Sequence, residues 1–327
     1  MKYSFFGTCV NDYEQLFNCL ETILEQTILP SELILINSGE KNIKKLILEK
    51  LKNKKINLVY ISKKKSRVES LNIAINYSTS DYSFRFDTRS RFSENYAENC
   101  LKFLIDKSFG AEVVGGVPEI IPQKKDFEAI LCSQIMNRSY IFFYPKHRNI
   151  NYSGYVSSVY LGCFKTNLLK QIKFNEKEAL ISEDSLIIND FLKKGYKAFI
   201  SSSIKVSYVS RFSFINILKL FNNYGFCRAK TILISKNLFI SSRHLLVFIF
   251  FVISLSLFLK FFHGLIFFYP LILLLVNYLG EFISFGRLAK IYIPFYATLC
   301  QFSWILGFLC GLISIFNKKN SNSNFIS

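Results

Sequence analysis

Two acidic clusters in this sequence have the residue types and spacing to do chemistry. The first is Asp87, which closes the segment Tyr82–Asp87; there Tyr82, Phe84 and Phe86 alternate with Ser83, Arg85 and Asp87 at the two-residue period of a strand. Its carboxylate is therefore expected at the carboxyl end of a buried strand, and in an open α/β sheet ligands bind in the crevice beyond those ends. A carboxylate is a hard oxygen donor suited to a divalent cation, which can in turn hold a diphosphate. The second cluster is Glu183-Asp184, at the start of a helix that carries Ile188, Phe191 and Leu192 and stops at Lys193-Lys194-Gly195. The dipole at a helix N-terminus favours negative charge and keeps a first-turn carboxylate ionised, so this pair standing alone would need no functional explanation.

The elements that must position these groups alternate regularly. Residues 3–10 read as a strand, followed by Asn11 and Asp12, where Asp12 and Gln15 loosely fit a capping box. A helix with Leu16, Phe17, Leu20, Ile23 and Leu24 on one face comes next, then a strand over 33–36 that ends in the polar turn Asn37-Ser38-Gly39. Further on lie a helix over 43–51, a strand over 56–61, a helix from Arg67 with Val68, Leu71 and Ile75, a helix opened by Ser93 and Glu94, and an edge strand over 111–114 before Gly115-Gly116. Strands and helices alternating at this spacing predict a parallel sheet with right-handed crossovers. Neither G-x-G-x-x-G nor G-x-x-x-x-G-K occurs in this half, which argues against a nicotinamide enzyme or a nucleotide triphosphatase. What remains is a nucleotide-binding sheet that holds its diphosphate another way, most simply through a metal ion on an acidic turn. Residues 126–155 carry no regular pattern.

Lys and Arg exceed Asp and Glu by 41 to 23, a formal charge of +18 over 327 residues, which calls for an anionic partner. Nucleic acid is disfavoured, since there is no zinc-finger spacing, no ribonucleoprotein motif and no uninterrupted basic helix. The distribution of apolar residues points to a membrane instead. After Arg243, residues 245–259, 264–280 and 291–317 are uncharged, the first two separated by Lys260 and His263. A single helix through the first two would run roughly 50 Å against a hydrocarbon core of about 30 Å, so they read as a hairpin of short spans. Arg243, Arg287 and Lys290 then face the cytoplasm. Just upstream, Phe214, Leu218 and Phe221 repeat at helical spacing beside Lys219, Arg228, Lys230 and Lys236. That segment is expected either in the headgroup plane or docked on the preceding domain. The eight cysteines, at 9, 19, 100, 132, 163, 227, 300 and 310, lack C-x-x-C spacing and read as small core residues in a reducing compartment. His147, His244 and His263 are isolated, no secretory signal is expected ahead of the first strand, and the tail from Asn320 reads as disordered.

Five features in order carry a resemblance: Asn11-Asp12, R-x-x-x-x-N from Arg67 to Asn72, a strand ending at Asp87-Thr88-Arg89, Glu183-Asp184, and Tyr224-Gly225-Phe226-Cys227-Arg228. Together they resemble glycosyltransferase family 2, the inverting GT-A enzymes, and most of all its bacterial exopolysaccharide subgroup with C-terminal membrane helices. The resemblance implies a GT-A catalytic domain, Rossmann-like with a mostly parallel sheet, over 1–208. An interfacial amphipathic segment over 209–243, a transmembrane region over 244–317 and a polar tail over 318–327 would follow. It implies that Asp87 coordinates Mg²⁺ or Mn²⁺ on a nucleotide-diphosphate sugar, with Asn11, Asn37, Arg67 and Arg89 in the nucleotide-sugar site. Asp184 would be the general base on the acceptor hydroxyl and Glu183 its orienting partner. The implied acceptor is a lipid-linked saccharide, in cell-surface polysaccharide synthesis at the cytoplasmic membrane, with the catalytic domain on the cytoplasmic side. The sequence departs from the family pattern at three points. Arg89 replaces the second acid of D-x-D, leaving metal binding to one carboxylate or phosphate neutralisation to Arg89 itself; Asn37 stands where Asp is common; and Lys219-Leu220 replaces an Arg-Gln pair. A catalytically degenerate relative acting as a scaffold is the competing expectation, favoured by the incomplete D-x-D and opposed by the Glu-Asp pair.

Overall fold

A computed structural model describes residues 2–142, 145–176, 183–210, 213–234, 265–282 and 289–323. The chain divides into two compact units, Met1–Ile121 with Pro145–Ser210, and Pro122–Tyr144 with Arg211–Ser327.

The first unit opens β1 (Tyr3–Cys9), α1 (Tyr13–Leu24), β2 (Glu32–Asn37), α2 (Lys44–Leu51), β3 (Asn57–Ser62), α3 (Arg67–Tyr77) and β4 (Tyr82–Asp87). It continues through β5 (Ser90–Phe92), α4 (Tyr96–Ile105) and β6 (Val113–Ile121); the chain then leaves it for α5 (Phe127–Asn137). On its return come β7 (Gly154–Tyr155), β8 (Cys163–Lys165), α6 (Thr166–Ile172), α7 (Glu183–Lys193) and β9 (Ala198–Val209). The strands form one sheet in the order β3-β2-β1-β4-β8-β6-β9-β5, with β7 on β9. As expected, β1 to β4 are mutually parallel; beyond β4 the sheet is mixed, because β8 and β5 pair antiparallel.

Register decides where the chemistry falls. Thr8 lies opposite both Ile36 and Asp87, and Cys9 opposite Asn37, so β1, β2 and β4 end level and their turns share one edge. Alternate side chains fill two cores on the two faces: Phe5, Leu33, Phe84 and Phe86 with α1 and α4 on one, Phe6, Ile34, Leu71 and Phe191 with α3 and α7 on the other. Truncating one of these buried phenylalanines to Ala typically costs about 3–5 kcal/mol.

Three local expectations change. The strand expected at the sheet edge over 111–114 runs on to Ile121 and lies inside the sheet, between β8 and β9, because it pairs in parallel with the long, distant β9. Gly116 permits the approach: a Cβ there would lie 2.2 Å from the carbonyl oxygen of Ile204, next to a register shift. The capping box at Asp12 and Gln15 does not form, since Asp12 makes no cap bond and its carboxylate accepts from Arg89, while Gln15 Oε1 accepts from Arg91 at 2.6 Å. The helix expected from Ser93-Glu94 begins at Tyr96, because the Ser93 hydroxyl donates to the Lys205 carbonyl of β9 at 3.0 Å.

The second unit holds α5, α8 (Phe214–Ile234), α9 (Leu265–Phe282) and α10 (Ala289–Ser323). The helix α5 falls in the stretch that carries no pattern in the sequence; Asp126 caps it by accepting from the Ala129 N–H at 2.7 Å. The helix α8 packs on α10 at backbone contact distance. A Cβ on Gly225 would sit 1.9 Å from the Trp304 carbonyl oxygen, and one on Gly307 would sit 1.9 Å from that of Asn222. Ile217, Phe221, Cys227 and Ala229 are buried, so much of the apolar side of α8 is spent on its own unit. Asn277 of α9 donates to Thr298 and Gln301 of α10 at 2.9 and 3.0 Å, polar bonds of the kind that join apolar helices. Tyr292–Ser314 within α10 is long and apolar enough to cross a membrane. The expected spans over 264–280 and 291–317 correspond to α9 and α10; that over 245–259 lies outside the described residues. The helix α10 runs to Ser323, into the tail that reads as disordered from composition.

Candidate active site

The sequence folds a charged cluster into the carboxyl edge of the sheet. Ser66 caps α3 with a complete capping box to Glu69, which places Arg67 in the first turn facing the end of β4. Arg67 Nη2 lies 2.7 Å from Asp87 Oδ2, and its Nε lies 2.8 Å from Glu183 Oε1. Arg85, two residues before Asp87 and therefore on the same face of β4, reaches both acids. Its Nη2 is 2.7 Å from Glu183 Oε1 and 3.4 Å from Asp87 Oδ1. It is 3% exposed, with its guanidinium over the Phe174 ring. The cluster thus joins the start of α3, the end of β4 and the start of α7.

These contacts give the two acids of the pair opposite properties. Burial alone would push the Glu183 carboxyl up, but Arg85 and Arg67 more than offset it and hold Glu183 below the ordinary range. Asp87 is held low in the same way, by Arg67 and Arg85 against burial. Asp184 is raised, first by burial and then by the Glu183 carboxylate beside it, although its Oδ1 accepts from the Ser185 N–H at 2.9 Å. The helix dipole therefore does not dominate at Asp184, contrary to the sequence-based expectation. A half-buried carboxylate with a raised affinity for protons is suited to general base catalysis.

Asn72, the last residue of R-x-x-x-x-N, donates to the Phe174 carbonyl and accepts from the Phe174 N–H, each at 2.8 Å, and donates to Glu176 at 2.9 Å. It thereby fixes Phe174, whose ring lies under the Arg85 guanidinium, so both ends of the motif contribute to the arginine–carboxylate cluster. Asn11, in the turn after β1, and Asn37, the last residue of β2, lie apart from that cluster and meet at the turn after β2. Asn37 is fully buried and donates to the Lys41 carbonyl and the Tyr60 hydroxyl at 2.7 and 2.8 Å. Asn11 Oδ1 accepts from the Glu40 N–H at 2.9 Å. Both hold the 38–41 turn, Asn37 from the buried side and Asn11 from the exposed side. Arg89 is held by Asp12, Nε to Oδ2 at 2.9 Å and Nη2 to Oδ1 at 3.4 Å, with the Thr88 hydroxyl on the same carboxylate.

Arg85 and the Arg89–Asp12 pair are absent from the sequence reading. An arginine at an inward position between two buried phenylalanines signals a paired charge, and this would have found Arg85. The Arg89–Asp12 pair joins turns 77 residues apart and has no local signal.

The donor set at Asp87 does not fit a divalent cation. Both of its oxygens face guanidinium groups, the position two residues on is a third arginine, and among the described residues no three His, Cys, Asp or Glu side chains are grouped to hold a metal.

The parallel strands thus end level at an edge lined by charged residues, with the Glu-Asp helix beside it, which is where open α/β sheets bind their ligands. Residues 4–170 match the model of Glycosyl transferase family 2, and the chain belongs to that family. No curated protein sequence matches it. Its structure is similar to that of the mannosyltransferase PcManGT from Pyrobaculum calidifontis, solved in complex with GDP-Man and Mn²⁺. That likeness has a TM-score of 0.60 and 14% identity, covering 95% of this chain and 87% of the other. It is also similar to S. aureus TarS, with a TM-score of 0.46 and 16% identity over 71% of this chain; the chain spans 40% of the length of TarS. The protein is a family 2 glycosyltransferase of GT-A fold.

Proposed function

We propose that the protein is an inverting glycosyltransferase that moves a sugar from a nucleotide-diphosphate sugar to a lipid-linked saccharide during cell-surface polysaccharide synthesis. The observation that carries this reading is Asp184, a half-buried carboxylate with raised proton affinity next to an acid held ionised by two arginines. In this reading the acceptor hydroxyl attacks the anomeric carbon, its proton passes to Asp184, and the bond to the diphosphate oxygen breaks with its electron pair leaving on the diphosphate. Attack from the face opposite the leaving group inverts the anomeric centre. Glu183, fixed by Arg67 and Arg85, holds the start of α7 and with it Asp184 at the end of β4.

The lipid-linked acceptor is supported by the apolar stretch Tyr292–Ser314 and by the outward face of α9, where Leu271, Leu275, Val276 and Leu279 are each more than half exposed. We place the protein in the cytoplasmic membrane, multi-pass, with its catalytic unit on the cytoplasmic side, from the positions of Arg243, Arg287 and Lys290. The donor class is supported by the family and by the level strand ends. The test is turnover of a panel of nucleotide-diphosphate sugars by membranes containing the protein and lipid extract, with the anomeric configuration of the product read by NMR. Transfer with inversion supports the proposal; transfer with retention, or none with any donor, contradicts it.

A further inference from the structure

The place after Asp87 is built around a fixed positive side chain. Arg89 is mostly buried, 15% exposed, and is oriented by Asp12 from the turn after β1. Asp87, which would be the remaining oxygen ligand for a metal, already faces Arg67 and Arg85. Asp12, Asp87 and Glu183 are each engaged by a guanidinium, so a dication would have to displace an arginine from the carboxylate that received it. A guanidinium answers the same need for charge, since its planar fork matches two phosphate oxygens. The Asp12 contact keeps Arg89 in one orientation, which lowers the entropy lost when it binds.

We infer that Arg89, oriented by Asp12, serves as the cation that binds the donor diphosphate, so that nucleoside diphosphates bind this protein without a divalent metal. The inference rests on the nucleotide-sugar reading above and concerns the same site. The probes are UDP and GDP, titrated calorimetrically into the full-length protein in detergent, with excess EDTA in one arm and MnCl₂ or MgCl₂ in the other. The expected result is binding of at least one of them with affinities within about twofold in the two arms, and a loss of about tenfold or more in Arg89→Gln. Arg89→Asp is expected to bind only in the metal arm. Arg89→Lys keeps the charge without the fork and is expected to fall between native and Arg89→Gln, which separates a lost contact from a lost fold. Native binding that appears only with metal, or binding in EDTA that Arg89→Gln leaves unchanged, overturns the inference while the nucleotide-sugar reading stands. No binding of either nucleotide in either arm overturns both.

Discussion

Glu183 and Asp184 are neighbours with opposite electrostatic fates, and the residues around them explain why. Arg85 and Arg67 hold Glu183 ionised, and Glu183 then raises its neighbour. A base acts only when deprotonated, so kcat/KM is expected to fall on acidification through a pKa above the usual Asp value of about 3.9. Replacing Glu183 with Gln removes the adjacent negative charge and should move that acid limb to lower pH, without restoring it fully because burial remains. A shift to higher pH in the Glu183→Gln profile would contradict this. Arg85→Met tests the buried cluster. It leaves Asp87 and Glu183 with Arg67 as their one remaining guanidinium, and breaking a buried pair of this kind typically costs up to about 3–5 kcal/mol. Denaturant unfolding of the variant should show a loss of that order; less than about 1 kcal/mol would mean that Arg85 is not the centre of the cluster. The sign with pH follows from Asp87 and Glu183, both lowered in the folded state. Their contribution is present above the unfolded carboxylate range and is lost as pH falls towards their folded values.

Elements are positioned by contacts of very different sequence range, and this decides how much of the fold was legible. The strands β1 to β4 were readable because short apolar runs, and in β4 a two-residue alternation, mark them locally, and the helices between them because their apolar spacing is local. The strand β9 was not, since Ser201-Ser202-Ser203 interrupts any apolar alternation and its pairing with β6 comes from distant chain. Asp12 has a cap residue's identity but gives its carboxylate to Arg89, a competitor invisible in the local sequence. Likewise the Glu-Asp pair was legible by type, whereas its pairing with Arg85 spans 98 residues and has no local signal. The α8–α10 contact supplies a test at this scale. Gly225→Ala places a methyl group where the Trp304 carbonyl oxygen lies 1.9 Å from it, so the helices must part. The expected cost is about 1–3 kcal/mol in the thermal unfolding of detergent-solubilised protein. Ile215→Ala, at a position 58% exposed on the same helix, should stay within about 0.5 kcal/mol. Equal melting of the two variants would mean that the close approach is not maintained.

At the scale of the whole molecule, one unit carries the crevice and the other is a set of apolar helices to which α5, from the middle of the chain, also belongs. The full-length protein is therefore expected to remain with membranes under carbonate extraction; release into the supernatant would contradict the proposed membrane reading of α9 and α10. The central claim is that the crevice of the first unit transfers a sugar with Asp184 as its base, and one substitution tests it most directly. Asp184→Asn keeps the shape and the acceptor for the Ser185 N–H but removes the capacity to take a proton. Measured side by side for native protein and variant, turnover should fall by about 10² to 10⁴ while donor affinity and melting temperature change little. Unchanged turnover, or a loss that merely follows a loss of stability or donor binding, would contradict the account.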